Sequence, residues 1–325
     1  MSAVDLAAVA GALALDQAAR LRSLVDTLAE PWPDEPQCPE HAAPAAKTAY
    51  SIAVVSGKGG VGKTTLAVNT SLDLASRGFE TILFDADLGL ANADLLLGVT
   101  PGLHLGHALE GGASIERLLT PVAERLALVA GGSGIASLAD LSPSRRGELL
   151  SILRELEARC RVLLVDCGAG IGPGVLDLAL AADEILVVTT PEPTALADAY
   201  GLVKSLVRRA HGGLLPRLSL VVNDCQNSDE AHDVHARAFG TCARFLGIEL
   251  GFAGWVPSSA EVRRAVRARR PIVLASPRCD ATRRVHALAA ELATRFDQPS
   301  LNGARRQGLV VRLVRILGAR SRERR

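Results

Sequence analysis

The sequence predicts an α/β protein, built as a doubly wound, mostly parallel sheet with helices on both faces. Short aliphatic runs alternate with longer amphipathic stretches from residue 51 to about residue 298, which is the pattern of strand–helix repeats. The composition agrees, since 48% of the residues are hydrophobic but only 3% are aromatic, as expected for aliphatic strands covered by alanine-rich helices. A glycine-rich loop directly after the first strand is the third observation.

Each element follows from its local pattern. Strands are predicted where short aliphatic runs are bounded by turn residues, and helices where apolar residues recur with helical spacing. The predicted strands are 52–56, 81–85, 126–130, 162–166, 184–190, 218–223 and 252–256. The predicted helices are 65–76, 145–158, 193–211, 229–246 and 259–269. Ligands of such sheets bind at the carboxyl ends of the strands, so Asp85, Asp166 and Asn223 are expected to converge there.

The stretch 56–65 stands between the first predicted strand and the first predicted helix, which is the context of a phosphate-binding loop. Its glycines let the backbone turn tightly and point N–H groups at phosphate oxygens, and a helix N-terminus favours an anion. Lys63 is expected to reach the β- and γ-phosphates, and Thr64 to hold Mg²⁺. The predicted nucleotide-binding residues are Gly57, Lys58, Gly59, Gly60, Val61, Gly62, Lys63, Thr64 and Thr65.

Carboxylates complete the predicted site. Asp166 ends a strand, as does the carboxylate that binds Mg²⁺ directly or through water in phosphoryl-transfer proteins. Asp85 and Asp87 alternate along an extended backbone, so that one faces the metal and the other orients the attacking water. The residues alone leave this assignment open. Thr64, Asp85 and Asp166 are therefore the predicted metal ligands, and ATP and Mg²⁺ the predicted cofactors.

The two ends of the chain differ from the domain at 51–298. Residues 1–29 predict one amphipathic helix, and 30–50 a flexible linker rich in Pro, Ala and charged residues. Such a tethered helix suits docking to a partner, and packing on its own domain is the alternative.

Residues 299–325 form a basic tail, with eight Arg and one Glu from Arg305 onward. A short amphipathic helix within it places Arg312 and Arg315 opposite an apolar face. That face is expected to bind an anionic membrane surface; a tail that is disordered or packs on the domain is the alternative. Its predicted membrane-contacting residues are Leu309, Val310, Leu313, Ile316 and Leu317.

The six cysteines form no Cys-X-X-Cys pair and are expected to be reduced core residues. No apolar run is long enough to span a membrane, and the N-terminus lacks the basic leading region of a signal peptide. A cytoplasmic location is expected.

A second lysine, Lys58, directly after the first glycine of the loop, resembles the deviant Walker A motif of the MinD/ParA ATPases. The resemblance implies a homodimer with ATP sandwiched between subunits, in which Lys58 reaches the partner's phosphates. It also implies that Asp87 positions the water and that Asn223 reads the adenine, so that Lys58, Lys63 and Asp87 are the catalytic residues. Cys167 and Ser258 depart from the usual pattern, which affects expectations for the adenine pocket only.

Within that family the stretches 85–94, 131–134, 166–171 and 189–200 resemble the flagellar-number ATPases of the FlhG (FleN, YlxH) type. This resemblance implies control of flagellar number or placement, and cycling between a cytoplasmic monomer and a dimer on the inner membrane, with the cell pole as a candidate position. The N-terminal helix resembles the segment that docks on the signal-recognition-type GTPase FlhF and stimulates it; the flagellar C-ring and a flagellar transcription regulator are further candidate partners. The predicted docking residues are Asp16, Gln17, Ala18, Leu21 and Arg22.

Other functions are weighed against this one. A DNA-partition or division-site ATPase of the ParA/MinD type is the main alternative, with Arg263, Arg267 and Arg270 at a helical spacing that could follow phosphates. Direct DNA binding is nevertheless not expected, because a solvated surface explains these arginines as well. An iron–sulfur reductase requires cluster cysteines, and neither Cys160 nor Cys167 has that context. A nucleotide-switched adaptor with negligible turnover is the remaining possibility.

Overall fold

The computed structural model describes residues 48–87, 91–110, 113–132, 141–210, 213, 215–296 and 307–323. The folded unit considered below ends at Leu317. Its strands are β1 (Tyr50–Ser56), β2 (Thr81–Ala86), β3 (Leu119–Ala123), β4 (Leu126–Val129), β5 (Val162–Ala169), β6 (Glu184–Thr189), β7 (Arg217–Cys225) and β8 (Gly251–Pro257). The helices are α1 (Lys63–Ser76), α2 (Ala93–Leu97), α3 (Leu105–Leu109), α4 (Ile115–Leu118), α5 (Pro143–Arg159), α6 (Pro173–Ala181), α7 (Pro193–Arg209), α8 (Ser228–Leu246), α9 (Ala260–Arg267), α10 (Ile272–Ala275), α11 (Asp280–Ala293) and α12 (Leu309–Glu323).

The strands form one eight-stranded sheet in the order β3-β4-β2-β5-β1-β6-β7-β8. Every neighbouring pair is parallel except β3 and β4, which form an antiparallel hairpin at one edge. In the register of β2 with β5, Asp85 lies directly beside Asp166. The parallel arrangement therefore brings the polar residues at the strand ends to one edge of the sheet.

Helices cover the sheet on both faces. Side chains of β1 alternate between the two layers, with Ala53 and Val55 in one core and Ile52 and Val54 in the other. Helices α5–α8 pack in the first core, and α1 and α9–α11 in the second. The doubly wound α/β fold predicted from the sequence is confirmed. The hairpin strand β3 and the helices α2, α3, α4, α6, α10 and α11 were not predicted.

The tail helix α12 packs in the first core over its first turns. Leu309, Val310 and Leu313 are at most 1% exposed, and Val314, Ile316 and Leu317 pack at the edge of the same core. The carboxylate of Glu157 on α5 accepts the backbone N–H groups of Leu309 at 2.5 Å and Val310 at 3.2 Å. These are N–H groups that a helix start leaves without an internal partner.

Arg312 holds the same helix to the amino-terminal edge of the sheet. Its guanidinium donates to the Ala181 carbonyl at 2.6 Å, to Asp183 Oδ1 at 2.7 Å and to Ser51 Oγ at 3.0 Å. The sequence placed Arg312 on the face opposite the apolar residues, and that expectation is wrong. Long arginine side chains can bend back along a helix, and here the carboxylate of Asp183 supplies the reason to do so.

A second buried polar group lies at this edge. Glu184 is fully buried and accepts hydrogen bonds from the hydroxyls of Tyr50 and Ser219, both at 3.0 Å, while Arg295 forms an ion pair with it. Burial raises the pKa of Glu184, and the Arg295 cation opposes that effect. The turn after α11 is thereby fixed to β6 and β7.

Among the described residues, no helix combines the length and the hydropathy needed to cross a bilayer. The predicted docking residues Asp16, Gln17, Ala18, Leu21 and Arg22, and nearly all of the predicted linker, lie outside the described residues.

Candidate functional site

The phosphate-binding loop connects β1 to α1 at the carboxyl edge of the sheet. Gly60 and Gly62 have φ values of 82° and 88°, in the left-handed region that glycine adopts without strain. Gly62 is also the N-cap of α1. Because glycine has no side chain that could accept a capping hydrogen bond, the first N–H groups of the helix stay available on the side of the loop. The predicted loop thus has the backbone conformation of an anion-binding nest.

Gly57 is required because helix α7 lies against it. A Cβ built at Gly57 would stand 2.2 Å from the carbonyl oxygen of Asp198, which is far inside contact distance. The loop therefore begins in direct backbone contact with α7. Gly59, two residues later, would meet nothing within 4 Å.

Lys63 and Asp166 form the centre of the site. The Lys63 ammonium is buried and lies 2.5 Å from Asp166 Oδ1 and 3.5 Å from Thr64 Oγ1. Burial raises the pKa of Asp166, and the Lys63 charge lowers it. Lys63 thus neutralises the carboxylate of Asp166 on β5.

Asp85 organises the backbone that follows β2. Its Oδ1 accepts the N–H of Asp87 at 3.1 Å, and its Oδ2 accepts those of Asn92 and Ala93, both at 3.0 Å. Burial and, after it, the neighbouring Asp166 carboxylate raise the pKa of Asp85 to about 6. A cation close to both carboxylates would relieve that repulsion. Direct metal binding by Asp85 stays a prediction.

Asp87 lies past the end of β2, beside the end of β5. Its carboxylate would be 3.7 Å from a Cβ at Gly168, two residues after Asp166. It is close enough to Asp166 for its charge to add to the effect of burial, which raises the pKa of that carboxyl group. Its role in positioning water stays a prediction. Cys167 follows Asp166 in β5. Burial raises the pKa of its thiol to about 12, so this side chain stays a neutral thiol.

Lys58 points away from this cluster. Its ammonium forms an ion pair with Glu192 Oε2 at 3.0 Å and a hydrogen bond with Thr194 Oγ1 at 3.3 Å, at the start of α7. The lysine side chain is 42% exposed, in contrast to the buried Lys63. Of the two lysines of the loop, Lys63 thus contacts Asp166 inside the site, whereas Lys58 contacts the start of α7 at the surface.

Asn223, at the carboxyl end of β7, supports the loop from the other side. Its Nδ2 donates to the Val61 carbonyl at 2.8 Å, and a Cβ at Gly62 would be 2.3 Å from that nitrogen. The contact with the loop backbone was not expected. It leaves the amide oxygen of Asn223 for another partner, so its predicted role in reading adenine stays a prediction.

The chemistry of the donor set fits Mg²⁺. Asp166 Oδ2 is buried and accepts no hydrogen bond within the part of the chain that the structure describes. An anionic oxygen without a donor is satisfied by a cation, and Thr64 Oγ1 lies in the same cluster. No group of three or more His, Cys, Asp or Glu among the described residues could hold a metal ion alone. That agrees with Mg²⁺, which takes one or two protein ligands and completes its shell with phosphate oxygens and water.

Sequence reasoning missed the residues that contact the loop from a distance. Glu192 is the N-cap of α7, and Thr194 and Asp198 lie on that helix. Their stretch was used only for the family resemblance. The Pro-Glu-Pro-Thr sequence at 191–194 is a helix-start pattern, so a carboxylate placed there could have been considered a partner for Lys58.

Known proteins resemble this chain across the whole site. The family model ParA, described as NUBPL iron-transfer P-loop NTPase, matches residues 47–293. The antiactivator FleN of Pseudomonas aeruginosa is 38% identical over 241 residues, covering 74% of this chain and 85% of FleN. The flagellum site-determining protein YlxH of Helicobacter pylori is 29% identical over 251 residues, covering 77% and 84%. The structure of the septum site-determining protein MinD from Pyrococcus horikoshii, complexed with Mg-ADP, matches with a TM-score of 0.60 at 25% identity, covering 79% of this chain and 99% of that one.

The two glycines at the start of the loop predict a sharp difference between two matched variants. Gly57→Ala forces the loop and α7 apart, so its free energy of unfolding should fall by about 1–3 kcal/mol and Mg-ATP binding should weaken. Gly59→Ala introduces the same methyl group into open space and should stay within about 0.5 kcal/mol of the unmodified protein. Urea denaturation without nucleotide measures both, and equal stability of the two variants would contradict the packing of α7 on Gly57.

Proposed function

This chain belongs to the ParA/MinD family of P-loop NTPases, and from that premise we propose that it is an ATP-dependent dimerising switch that regulates flagellar number or placement. The similarity to FleN and YlxH, whose names describe an antiactivator and a flagellum site-determining protein, supports the flagellar role. The nucleotide and metal follow from the loop, from Asp166 and from the Mg-ADP complex of the related MinD.

The observation that carries the proposal is the position of Lys58. A lysine that served its own subunit's phosphates would lie with Lys63 and Asp166, whereas Lys58 is held at the surface by Glu192. An exposed ion pair of this kind contributes at most about 1 kcal/mol, so it can be exchanged for a phosphate at low cost. Lys58 is thus suited to complete the site of a second subunit.

The remaining residues would have separate roles in the proposed hydrolysis. Lys63 and the loop amides would hold the phosphates, and Thr64 and Asp166 would hold Mg²⁺, which neutralises charge on the phosphate oxygens. Asp87 would accept a hydrogen bond from the attacking water. Hydrolysis would then require the ATP-bound dimer, because Lys58 comes from the partner.

Variants of Asp87 and Lys58 should separate hydrolysis from dimerisation. We expect Asp87→Ala to bind ATP and dimerise but to hydrolyse at least about 100-fold more slowly, because the water loses its orienting group. Lys58→Ala should bind ATP as a monomer, and Lys204→Ala, which changes a lysine of α7, should behave like the unmodified protein. Phosphate release and light scattering after size-exclusion chromatography measure these outcomes; a normal rate in Asp87→Ala would rule out its role.

Membrane binding requires the tail helix to leave the domain. The predicted membrane-contacting residues Leu309, Val310 and Leu313 are buried in the first core, so they cannot meet lipid while α12 is docked. Each buried aliphatic side chain is worth about 1.5–3 kcal/mol, and insertion into a bilayer would recover a similar amount. The difference then depends on the polar contacts of Glu157 and Arg312, and on attraction between the tail and anionic lipid.

We propose that the ATP-bound dimer favours the membrane because it carries two tails. A second tail binds at high effective concentration once the first is inserted, so two weak anchors act as one strong anchor. Hydrolysis would separate the subunits and release them.

Arg312 and Arg315 provide a matched test on one helix. Arg312→Gln removes the contacts with Ala181, Asp183 and Ser51, whereas Arg315→Gln removes the same charge from an exposed side chain that contacts Gln307. Hydrogen bonds of a charged group are worth about 1.5–3 kcal/mol, so Arg312→Gln should raise the nucleotide-free fraction bound to anionic vesicles by about tenfold. Arg315→Gln should not raise it. Vesicle sedimentation without and with ATP decides, and equal binding of both variants would refute the docked tail as a restraint.

We also propose that residues 1–29 dock on an FlhF-type GTPase and stimulate its GTP hydrolysis through Asp16, Gln17, Ala18, Leu21 and Arg22. The support is the sequence resemblance, since these residues lie outside the described part of the chain. The C-ring and a flagellar transcription regulator are proposed as further partners, and the cytoplasm and inner membrane as the location.

A peptide of residues 1–29 should retain the GTPase in a pull-down and accelerate its GTP hydrolysis. Gln17→Ala should abolish both effects, and Thr27→Ala, outside the docking residues, should preserve both. Retention of the GTPase by the Gln17→Ala peptide would remove this segment from the proposed mechanism.

The alternative function is DNA partition or division-site placement, as in other members of the family. Iron transfer, which appears in the description of the family model, is not proposed, because the six cysteines form no Cys-X-X-Cys pair.

A further inference from the structure

Helices α9–α11 carry an unusual concentration of positive charge. Residues 259–284 contain eight arginines, no lysine, and only two acidic residues, Glu261 and Asp280. This segment lies in the layer opposite to the tail helix, since α9–α11 pack in the second core and α12 in the first. The charge therefore lies in the other layer from the docked part of the tail helix.

Most of these arginines have no carboxylate partner. Arg264 pairs with Glu261 at 3.1 Å, Arg283 pairs with Asp280 at 3.0 Å, and Arg284 lies over the Trp255 ring at 4.2 Å. The others are exposed, and within the described ranges none of them forms an ion pair. We call them the arginine surface: Arg263, Arg267, Arg269, Arg270 and Arg278.

Some exposed arginines elsewhere on this protein are neutralised, whereas others, such as Arg154 and Arg237, form no ion pair within the described ranges. Arg125 pairs with Glu80 at 3.4 Å and Arg159 pairs with Glu116 at 2.5 Å. Unpaired like charges on neighbouring turns repel one another and slightly destabilise the fold. A surface on which these positive charges stay unpaired is suited to an anionic partner, which supplies the missing negative charge.

Apolar side chains are interspersed with the arginines. Val266, on α9, is 39% exposed and Leu274, on α10, is 53% exposed. Val266 also lines a small surface groove, together with Val68, Leu96, Val262 and Ile272, and Arg270 belongs to the same lining. Cations with exposed aliphatic residues and an apolar groove form the pattern of a surface that lies on a lipid headgroup layer.

We propose that the arginine surface binds anionic phospholipid headgroups, as a second membrane contact that is independent of the tail helix. The proposal rests on the membrane cycle of the proposed function. Arginine suits this role because its planar guanidinium can donate two parallel hydrogen bonds to one phosphate. Val266 and Leu274 would enter the apolar boundary below the headgroups.

Lipid fits these observations better than nucleic acid. A phosphate backbone is contacted by cations, hydroxyls and amides, and it offers nothing to Val266 and Leu274 or to the groove that Val266 lines. The sequence of α9–α11 also contains no Phe, Tyr or Trp on which bases could stack.

The test compares two triple variants of the full chain with the same net charge. Arg267→Gln/Arg270→Gln/Arg278→Gln removes three members of the arginine surface, and Arg125→Gln/Arg159→Gln/Arg264→Gln removes three exposed arginines that are already paired. Sedimentation uses vesicles of phosphatidylglycerol with phosphatidylcholine, and of phosphatidylcholine alone. We expect the first variant to lose at least about tenfold in partition onto anionic vesicles, both with and without ATP. The second should stay within about twofold, and ATP binding should be unchanged in both.

Equal losses in the two variants would show that only total charge matters and would overturn the proposal, as would no loss in the first. If the first variant lost retention of a DNA duplex but bound vesicles normally, the surface would belong to nucleic acid and the lipid proposal would be wrong. If the unmodified protein bound anionic vesicles in no nucleotide state, the proposed membrane cycle itself would fail. The two proposals therefore fail in distinguishable ways.

Discussion

The parallel pairing of β5 with both β1 and β2 is the constraint on which the site depends. It puts Asp166 beside Asp85 on one side and next to the strand that leads into the phosphate loop on the other. Two buried carboxylates so close together are unfavourable, and burial followed by the Asp166 charge raises the pKa of Asp85. Lys63 offsets part of this cost, and Mg²⁺ with nucleotide would offset the rest. The site is thus suited to a ligand that brings a cation and an anion together, as Mg²⁺ with a nucleotide does.

Local patterns in the sequence predicted the features that depend on residues close together in the chain. The loop 56–65, its glycines and the aliphatic strands predicted the fold and the position of Lys63, and the family resemblance is confirmed by the matching relatives. Contacts between distant residues could not be read in the same way. Glu192 contacts Lys58 across 134 positions of the chain, and nothing in either local sequence identifies the other as its partner. The hairpin strand β3 was missed because a short strand with a proline at a sheet edge carries a weak pattern.

The tail and the arginine surface show why amphipathic pattern alone does not decide what a helix contacts. Both α9 and α12 combine arginines with aliphatic residues. In α12 the aliphatic face is buried in the domain, and Arg312 turns inward because the Asp183 carboxylate and the Ala181 carbonyl accept its hydrogen bonds. In α9 the arginines are exposed, Arg263 and Arg267 form no ion pair within the described residues, and Val266 stays exposed. The difference lies in the neighbours that the fold supplies, which the sequence of either helix does not contain.

The strand β1 connects the nucleotide loop to the docked tail, and its rigidity limits how the two can communicate. Ser51 at one end contacts Arg312, and Ser56 at the other end begins the loop, while all seven residues from Tyr50 to Ser56 are buried. The strand is paired on both sides, so a change of nucleotide has no soft element along β1 through which to move the tail. A packed element of this kind transmits a signal only if it has two discrete arrangements. In the proposed cycle dimerisation would avoid that requirement, because it would change the number of tails that a membrane meets rather than the strength with which each one is held. The docked helix would then set a threshold that two tails overcome and one does not.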